Sequence, residues 1–344
     1  MSLAQFIQVN TSYTRSINLE RDGEGNPRPY ILTSRAVQTL ARVADTLESI
    51  ETPRAWALVG PYGSGKSAFG LFLSRLLGQG EAAGLARTAL EQSAPDLAMA
   101  YRRVLDGRMG YCVAVLTGSP ESLAGRLLRA LHSAAKGYFS GRRAPRVVSR
   151  LAEAVEHGAE ISAILELVDE LQEAIHQAGG AGLLIVIDEL GKFLEYEARQ
   201  RGALEIYLLQ ALAEHAVKPK AAPLQLVALL HQAFEQYGQT LGEQLRNEWK
   251  KVQGRFESLP FLETTEQTLR VIQAALVQGF DGPTRRLIEA DAARMAGILA
   301  DRYALPSALG REAAAALFAD CYPLLRFGSG YGRATGPNRA DGYR

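Results

Sequence analysis

Residues 60–68 contain a complete glycine-rich phosphate-binding pattern. The pattern G-x-x-x-x-G-K-[ST] is matched in order by Gly60, Pro61, Tyr62, Gly63, Ser64, Gly65, Lys66 and Ser67, and Ala68 follows. Glycines let backbone N–H groups turn toward a phosphate, and a following helix adds its own free N–H groups. Lys66 is placed to neutralise the β and γ oxygens of ATP, and Ser67 offers a hydroxyl to Mg²⁺. An accidental glycine turn is the alternative.

Two acids follow the most apolar stretch of the chain. Leu183–Ile187 is predicted to be a buried strand, and Asp188 and Glu189 come directly after it. Downstream of a phosphate-binding loop, such a pair is typical of a Walker B element. Asp188 would then hold Mg²⁺, directly or through water, and Glu189 would polarise the attacking water as general base. The alternative is an acid that caps a helix. A base at this place favours an ATPase over a P-loop kinase.

A second apolar stretch ends in polar side chains. Leu224–Leu230 is predicted to be a strand, and His231 and Gln232 follow it. If this strand lies beside the acidic one, Gln232 is a candidate for sensing the terminal phosphate and orienting the attacking water. A capping or surface role explains the same residues equally well, so both interpretations stay open.

Strands and helices alternate along the chain. The predicted strands are Ala55–Val59, Tyr111–Leu116, Leu183–Ile187, Leu224–Leu230 and Ser258–Phe261. Apolar residues recur with helical spacing over about 34–50, 67–77, 119–131, 147–177 and 205–217, and again over 264–277, 284–302 and 311–320. This order predicts an α/β fold in which a parallel sheet is covered on both faces.

The segment before the last predicted strand resembles a known family. Gly254-Arg255-Phe256-Glu257 is similar to the G-R-F-[DE] stretch of AAA+ ATPases, which are additional-strand P-loop proteins like the STAND class. The resemblance implies that Arg255 acts as an arginine finger on the ATP of a neighbouring subunit. A surface ion pair is the alternative role for Arg255, and Arg246 is a weaker finger candidate. The helices from Thr264 onward resemble the AAA+ helical lid, in which Arg270 or Arg294 could contact nucleotide.

A finer resemblance involves two stretches. Residues 188–195 and 231–235 are similar to large ATPases of bacterial phage-defence islands of the BREX and Pgl type, with a likeness from about Arg15 to Leu324. Such ATPases are usually much longer, which suggests a chain truncated at its C-terminus. We therefore predict an irregular N-terminal segment (1–33), an AAA+-like P-loop core (34–262), a helical lid (263–326) and a disordered or truncated tail (327–344).

Composition narrows the class of protein. The formal net charge is +1, so no overall basic field argues for nucleic acid, although Arg142, Arg143, Arg146 and Arg150 form a local basic cluster. Cys112 and Cys321 lack metal-ligand spacing, which argues against a zinc site and a disulfide framework. We expect no secretory leader and no membrane span, and hence a cytoplasmic protein.

These patterns predict an ATPase that binds MgATP and couples slow hydrolysis to conformational change or assembly, with a homo-oligomer or a larger protein assembly as its context. One alternative is a nucleotide switch or scaffold that rarely turns ATP over. Another is a subunit of a DNA-acting motor, which the net charge does not support.

Overall fold

The structure is a computed structural model that describes residues 3–10, 13, 16–23, 30–48, 54–200, 204–233, 250–306 and 309–324. The chain divides into two compact units, a larger one of residues 16–263 and a smaller one that combines Met1–Arg15 with Thr264–Arg344. The predicted tail 327–344 and the finger candidate Arg246 lie outside the described residues. None of the helices in the described part of the chain has the length and apolarity that crossing a membrane requires.

The elements follow the predicted alternation closely. In chain order they are β1 (Ile7–Val9), α1 (Leu19–Gly23), α2 (Ser34–Glu48), β2 (Ala55–Val59), α3 (Lys66–Leu77), α4 (Glu81–Ser93), α5 (Pro95–Leu105), β3 (Cys112–Thr117), α6 (Leu123–Tyr138), α7 (Arg146–His157), α8 (Ile161–Gln177), β4 (Leu183–Asp188), α9 (Leu190–Gln200), α10 (Leu204–Val217), β5 (Leu224–Leu230), β6 (Glu257–Pro260), α11 (Thr265–Ala275), β7 (Leu276–Gln278), α12 (Gly282–Asp301) and α13 (Arg311–Asp320). The helical stretch predicted at 147–177 is two helices, because Gly158 ends α7 with a φ of 77°.

Five strands of the larger unit form one parallel sheet. Their order is β3-β4-β5-β2-β6, and every neighbouring pair is parallel. β5 lies between β2 and β4, so a strand is added between the strand before the phosphate loop and the acidic strand. The carboxyl ends of all five strands share one edge, called here the carboxyl edge, and the opposite edge is the amino edge. The predicted α/β parallel-sheet P-loop fold is confirmed.

Helices cover both faces of this sheet, which explains its uninterrupted apolar strands. Along β4, Leu183, Ile185 and Ile187 belong to one buried cluster with α6, α7, α8 and α10. Leu184 and Val186 belong to a second buried cluster with α2, α3, α4 and α5. Successive side chains of a strand point to opposite faces, so an all-apolar strand stabilises both layers at once.

The smaller unit has its own core and a helical C-terminal part, as predicted. Buried side chains of α12 and α13 pack together, and Leu269 and Ile272 of α11 contact them. β1 pairs antiparallel with β7, and Phe6 stacks on Phe280 with ring centroids 5.8 Å apart. The sequence analysis did not anticipate β1 or β7: the helix expected to reach Val277 ends at Ala275, where the chain becomes extended.

Candidate functional site: a phosphate-binding loop at the carboxyl edge

The glycine-rich loop begins where β2 ends. The backbone N–H of Gly60 donates to the carbonyl of Leu230 at 3.1 Å, so the loop starts against the end of β5. A Cβ on Gly60 would lie 2.3 Å from the carbonyl oxygen of Phe261, so no other residue fits there. Gly63 and Gly65 have φ angles of 79° and 86°, which are left-handed conformations that favour glycine. These positions require glycine for conformation or for close approach.

Lys66 is the first residue of α3, and its amine is held across the loop. Its Nζ donates to the carbonyls of Gly60 and Pro61 at 2.5 and 2.8 Å and to the hydroxyl of Ser64 at 3.2 Å. Burial lowers the pKa of Lys66, and the nearby charge of Asp188 opposes that shift. Lys66 is only 8% exposed, so the oxygens of the loop, more than water, compensate its charge.

Ser67 and Asp188 meet, although they come from different elements. The Ser67 hydroxyl lies near enough to the Asp188 carboxylate to lower its pKa, and Asp188 Oδ1 accepts the backbone N–H of Glu189 at 2.9 Å. Burial raises the pKa of Asp188, and these two contacts act against the rise. The result is a buried carboxylate and a half-buried hydroxyl, two hard oxygen donors next to the loop.

Glu189 has an unusual backbone conformation. Its φ is 50°, a left-handed conformation that costs on the order of 1–3 kcal/mol in a residue other than glycine. Its Oε2 accepts a hydrogen bond from Lys192 Nζ at 2.5 Å. The backbone of Gly118 packs so closely that a Cβ there would lie 2.2 Å from the Glu189 carbonyl oxygen. The surrounding chain therefore maintains this turn between β4 and α9.

Gln232 lies at the same edge of the sheet. It lies two positions after Leu230, whose carbonyl accepts the hydrogen bond from the Gly60 N–H. Gln232 itself is half-buried. The preceding His231 stacks on Tyr62 of the loop, with ring centroids 4.8 Å apart and planes 15° from parallel. The end of β5 is thus joined to the glycine-rich loop by a backbone bond and by a ring contact.

Arg255 lies at the opposite edge. It precedes β6, whose Glu257 pairs in parallel register with Trp56 of β2. Gly60, where the loop begins, lies four positions beyond Trp56. At about 3.3 Å per residue, about 13 Å of strand separates the level of Glu257 from the start of the loop. Arg255 forms an ion pair with Glu214 of α10, and both side chains are about half exposed. Arg255 therefore lies away from the loop of its own chain.

The two arginines considered for a lid contact have local partners. Arg270 pairs with Glu266 at 2.9 Å and Arg294 with Asp291 at 2.9 Å, each within one turn of its own helix. The Arg294 pair is exposed, as is typical of a solvated helix surface, whereas the Glu266 side chain is only 12% exposed.

Three residues near the acids were not singled out by the sequence analysis. Lys192 could have been noticed from its position one helical turn after Glu189, whereas Gly118 carried no local pattern. Glu20 of α1 accepts the backbone N–H of Thr117 at 2.6 Å and forms an ion pair with Arg126. It supports the end of β3 beside the acidic strand, and its place in a stretch predicted to be irregular concealed that role.

A cavity of about 710 Å³ lies elsewhere in the larger unit, along β3 between α3 and α6. Its lining includes Ser74, Val113, Val115 and Ser133, and none of residues 60–68 contributes to it. The phosphate loop is an open surface feature, and the cavity is separate from it.

Comparisons with known proteins give limited information. No protein-family model matches the chain, and no curated protein is similar to it. Among solved structures, the ORC2 protein of Aeropyrum pernix in ADPNP and ADP complexes matches with a TM-score of 0.44 and 14% identity, over 88% of this chain and 72% of that one. The ADP form of the same protein matches with a TM-score of 0.41 and 14% identity, over 87% and 72%. Likenesses at this level do not identify a function.

Proposed function

We propose that the chain is an ATPase that binds MgATP and couples its hydrolysis to conformational change or assembly. One observation carries the proposal: Lys66 and Ser67 begin α3 directly after the loop and Asp188 ends β4 at the same edge, where both residues lie close enough to act on the pKa of its carboxylate. Serine and aspartate come together here from a helix and a strand that are distant in sequence. A nucleoside triphosphate with Mg²⁺ requires a cation and hard oxygen donors beside free helix N–H groups, and this site offers all of them.

The residues present fit a magnesium ion. Mg²⁺ is usually held by one or two protein oxygens together with water and substrate phosphates, and seldom by a cage of protein ligands. Ser67 and Asp188 supply such oxygens. Among the described residues, no cluster of three or more His, Cys, Asp or Glu could hold a metal ion instead. Bound Mg²⁺ would neutralise charge on the β and γ oxygens.

Each residue of the chain then has a defined task. Lys66 would exchange the carbonyls of its own loop for phosphate oxygens, a change that keeps its charge compensated. Backbone N–H groups of the loop would bind the β-phosphate, except at Gly60, whose N–H donates to Leu230, and at Pro61, which has none. Glu189 would accept the proton of the attacking water, and Gln232, at the same edge, would orient that water.

The position of Arg255 supports a role between subunits. Because it lies at the amino edge, it cannot reach the loop of its own chain, so a finger role requires a neighbouring copy or a larger assembly. In that assembly we propose that 34–262 is the ATPase core, that 263–326 acts as a lid over nucleotide and that 327–344 is a terminal tail.

A slow nucleotide switch is the second candidate. It is favoured by the bond between Lys192 and Glu189, because this bond occupies the proposed base. A DNA-acting motor has less support, since in the basic cluster Arg150 is paired with Glu170 and Arg142 donates to the Ala178 carbonyl. A place in phage defence rests on the similarity of 188–195 and 231–235 alone, and residues 234 and 235 lie outside the described part of the chain.

The deciding experiment measures the ATPase rate against protein concentration, with and without duplex DNA. A specific rate that rises with concentration supports fingers acting between subunits. Stimulation by DNA supports the motor, and tight binding of ATP without turnover supports the switch. Absence of ATP binding in calorimetry would refute the proposal.

A further inference from the structure

The proposed base is held by a lysine one helical turn further along. Lys192 Nζ lies 2.5 Å from Glu189 Oε2, and the Lys192 backbone N–H donates to the Glu189 carbonyl at 2.9 Å. The two residues are therefore tied together twice, once by side chains and once by backbone. The carboxylate is drawn toward the first turn of α9.

The surroundings of Lys192 raise the pKa of its amine. The bond to Glu189 raises its pKa, burial opposes the rise, and the charges of Glu189, Tyr62 and Asp188 add to it. Of these, Tyr62 belongs to the loop and Asp188 to the proposed Mg²⁺ ligands. Side-chain exposures of 47% for Lys192 and 30% for Glu189 leave the ion pair accessible to solvent and to salt.

We propose that Lys192 is a positioning residue that restrains Glu189, so that the resting protein hydrolyses ATP slowly. The inference rests on the proposed function of the site. Lys192 occupies Oε2 and holds the carboxylate against α9. The left-handed backbone of Glu189 and the close packing of Gly118 hold the main chain, so the ion pair controls mainly the side chain.

The expected size of the effect follows from the exposure of the pair. Exposed ion pairs contribute up to about 1 kcal/mol, which limits the restraint. Lys192→Met should raise kcat about 2- to 5-fold, which corresponds to about 0.4–1 kcal/mol. KM and the calorimetric Kd for ATP should stay within about 2-fold of the parent values, because Lys66 and the loop are unchanged. Lys192→Arg, which keeps the charge, should retain the slow parent rate.

Three controls separate this role from a general disturbance. Lys220 forms a similar exposed ion pair with Asp169, at 2.6 Å, and this pair lies away from the site. Lys220→Met should therefore leave kcat unchanged. Raising the salt concentration should speed the parent relative to Lys192→Met, since screening weakens the pair only where it exists. In a Glu189→Gln background, Lys192→Met should have no effect on kcat, because the lysine acts through this carboxylate.

Several results would overturn the inference. One is an unchanged or lower kcat in Lys192→Met with normal thermal unfolding, and another is an equal rise in the Glu189→Gln background. A weaker calorimetric affinity for ATP together with a lower kcat would assign Lys192 to phosphate binding instead. Failure of the proposed function looks different: Lys66→Ala would then leave ATP binding and turnover as in the parent.

Discussion

Two buried cations flank β2, one before the strand and one after the loop that follows it. Arg54 precedes β2 and is 3% exposed, and Lys66 opens α3 and is 8% exposed. Burial is the main cause that lowers the pKa of each. Arg54 donates to the carbonyls of Thr46 and Ala216, which are 8 and 162 positions away in the sequence. In the part of the chain that the structure describes, Lys66 donates to oxygens within six positions of itself.

The difference in partners separates a structural cation from a binding one. The partners of Arg54 belong to α2 and α10, so its guanidinium joins two helices to the amino edge of the sheet. The partners of Lys66 belong to its own loop, so no remote element depends on them. A ligand with acceptor oxygens can therefore replace them without disturbing the fold. This difference supports Lys66 as a candidate for binding a ligand and Arg54 as a residue that stabilises the fold.

The first prediction tests the proposed binding role of Lys66. Lys66→Ala should lower the affinity for ATP by about 100-fold or more, because bonds to charged groups contribute about 1.5–3 kcal/mol each and this amine would serve several phosphate oxygens. Calorimetry with MgATP measures the loss. The free energy of unfolding should change little, since only loop contacts are lost. Parent-like affinity would remove Lys66 from the site.

The second prediction separates binding from turnover at the same edge. Glu189→Gln should bind MgATP like the parent but hydrolyse it about 10²- to 10⁴-fold more slowly, which is the usual contribution of a general base. Steady-state turnover and equilibrium binding are measured on one preparation. A variant with the parent rate would exclude Glu189 as the base and leave a capping role.

The third prediction tests the role of Arg54 in stabilising the fold. Arg54→Met should lower the free energy of unfolding by about 1–3 kcal/mol, because two buried carbonyls lose a charged donor. Urea unfolding gives this value if the m-value is unchanged. The affinity of the folded protein for ATP should not change. Arg42→Met is the matched control: its pair with Glu257 is exposed and should contribute less than about 1 kcal/mol. Equal stability of both variants would contradict the assigned role of Arg54.

The smallest predicted effect asks whether the amino edge also carries function. Arg255→Ala should leave ATP affinity nearly unchanged and reduce turnover by about 10-fold, at the low end for arginine fingers. Mixing this variant with Glu189→Gln protein should restore part of the activity, because some interfaces then combine an intact base with an intact finger. A protein that stays monomeric with ATP in sedimentation, or a mixture without rescue, would leave Arg255 with its ion pair to Glu214 alone.

Much of the fold was predictable from the sequence. β2 and β5 have their predicted limits, and β3, β4 and β6 differ by a residue at one or both ends. The loop 60–68 was identifiable because all its requirements lie within one short segment: two left-handed glycines, a cation and a hydroxyl at fixed spacing. Alternating strands and helices indicated a parallel sheet for the same local reason, since the period of apolar residues is set within each element.

The sequence by itself thus determined the class of fold and indicated the loop and the two acids as candidate site residues. Only the tertiary structure decided that β5 lies between β2 and β4, that Ser67 meets Asp188, that Lys192 holds Glu189 and that Arg255 lies at the other edge. The physical reason is that local periodicity specifies an element and its buried face. Strand order and the packing of one element on another depend on contacts between segments far apart in the chain.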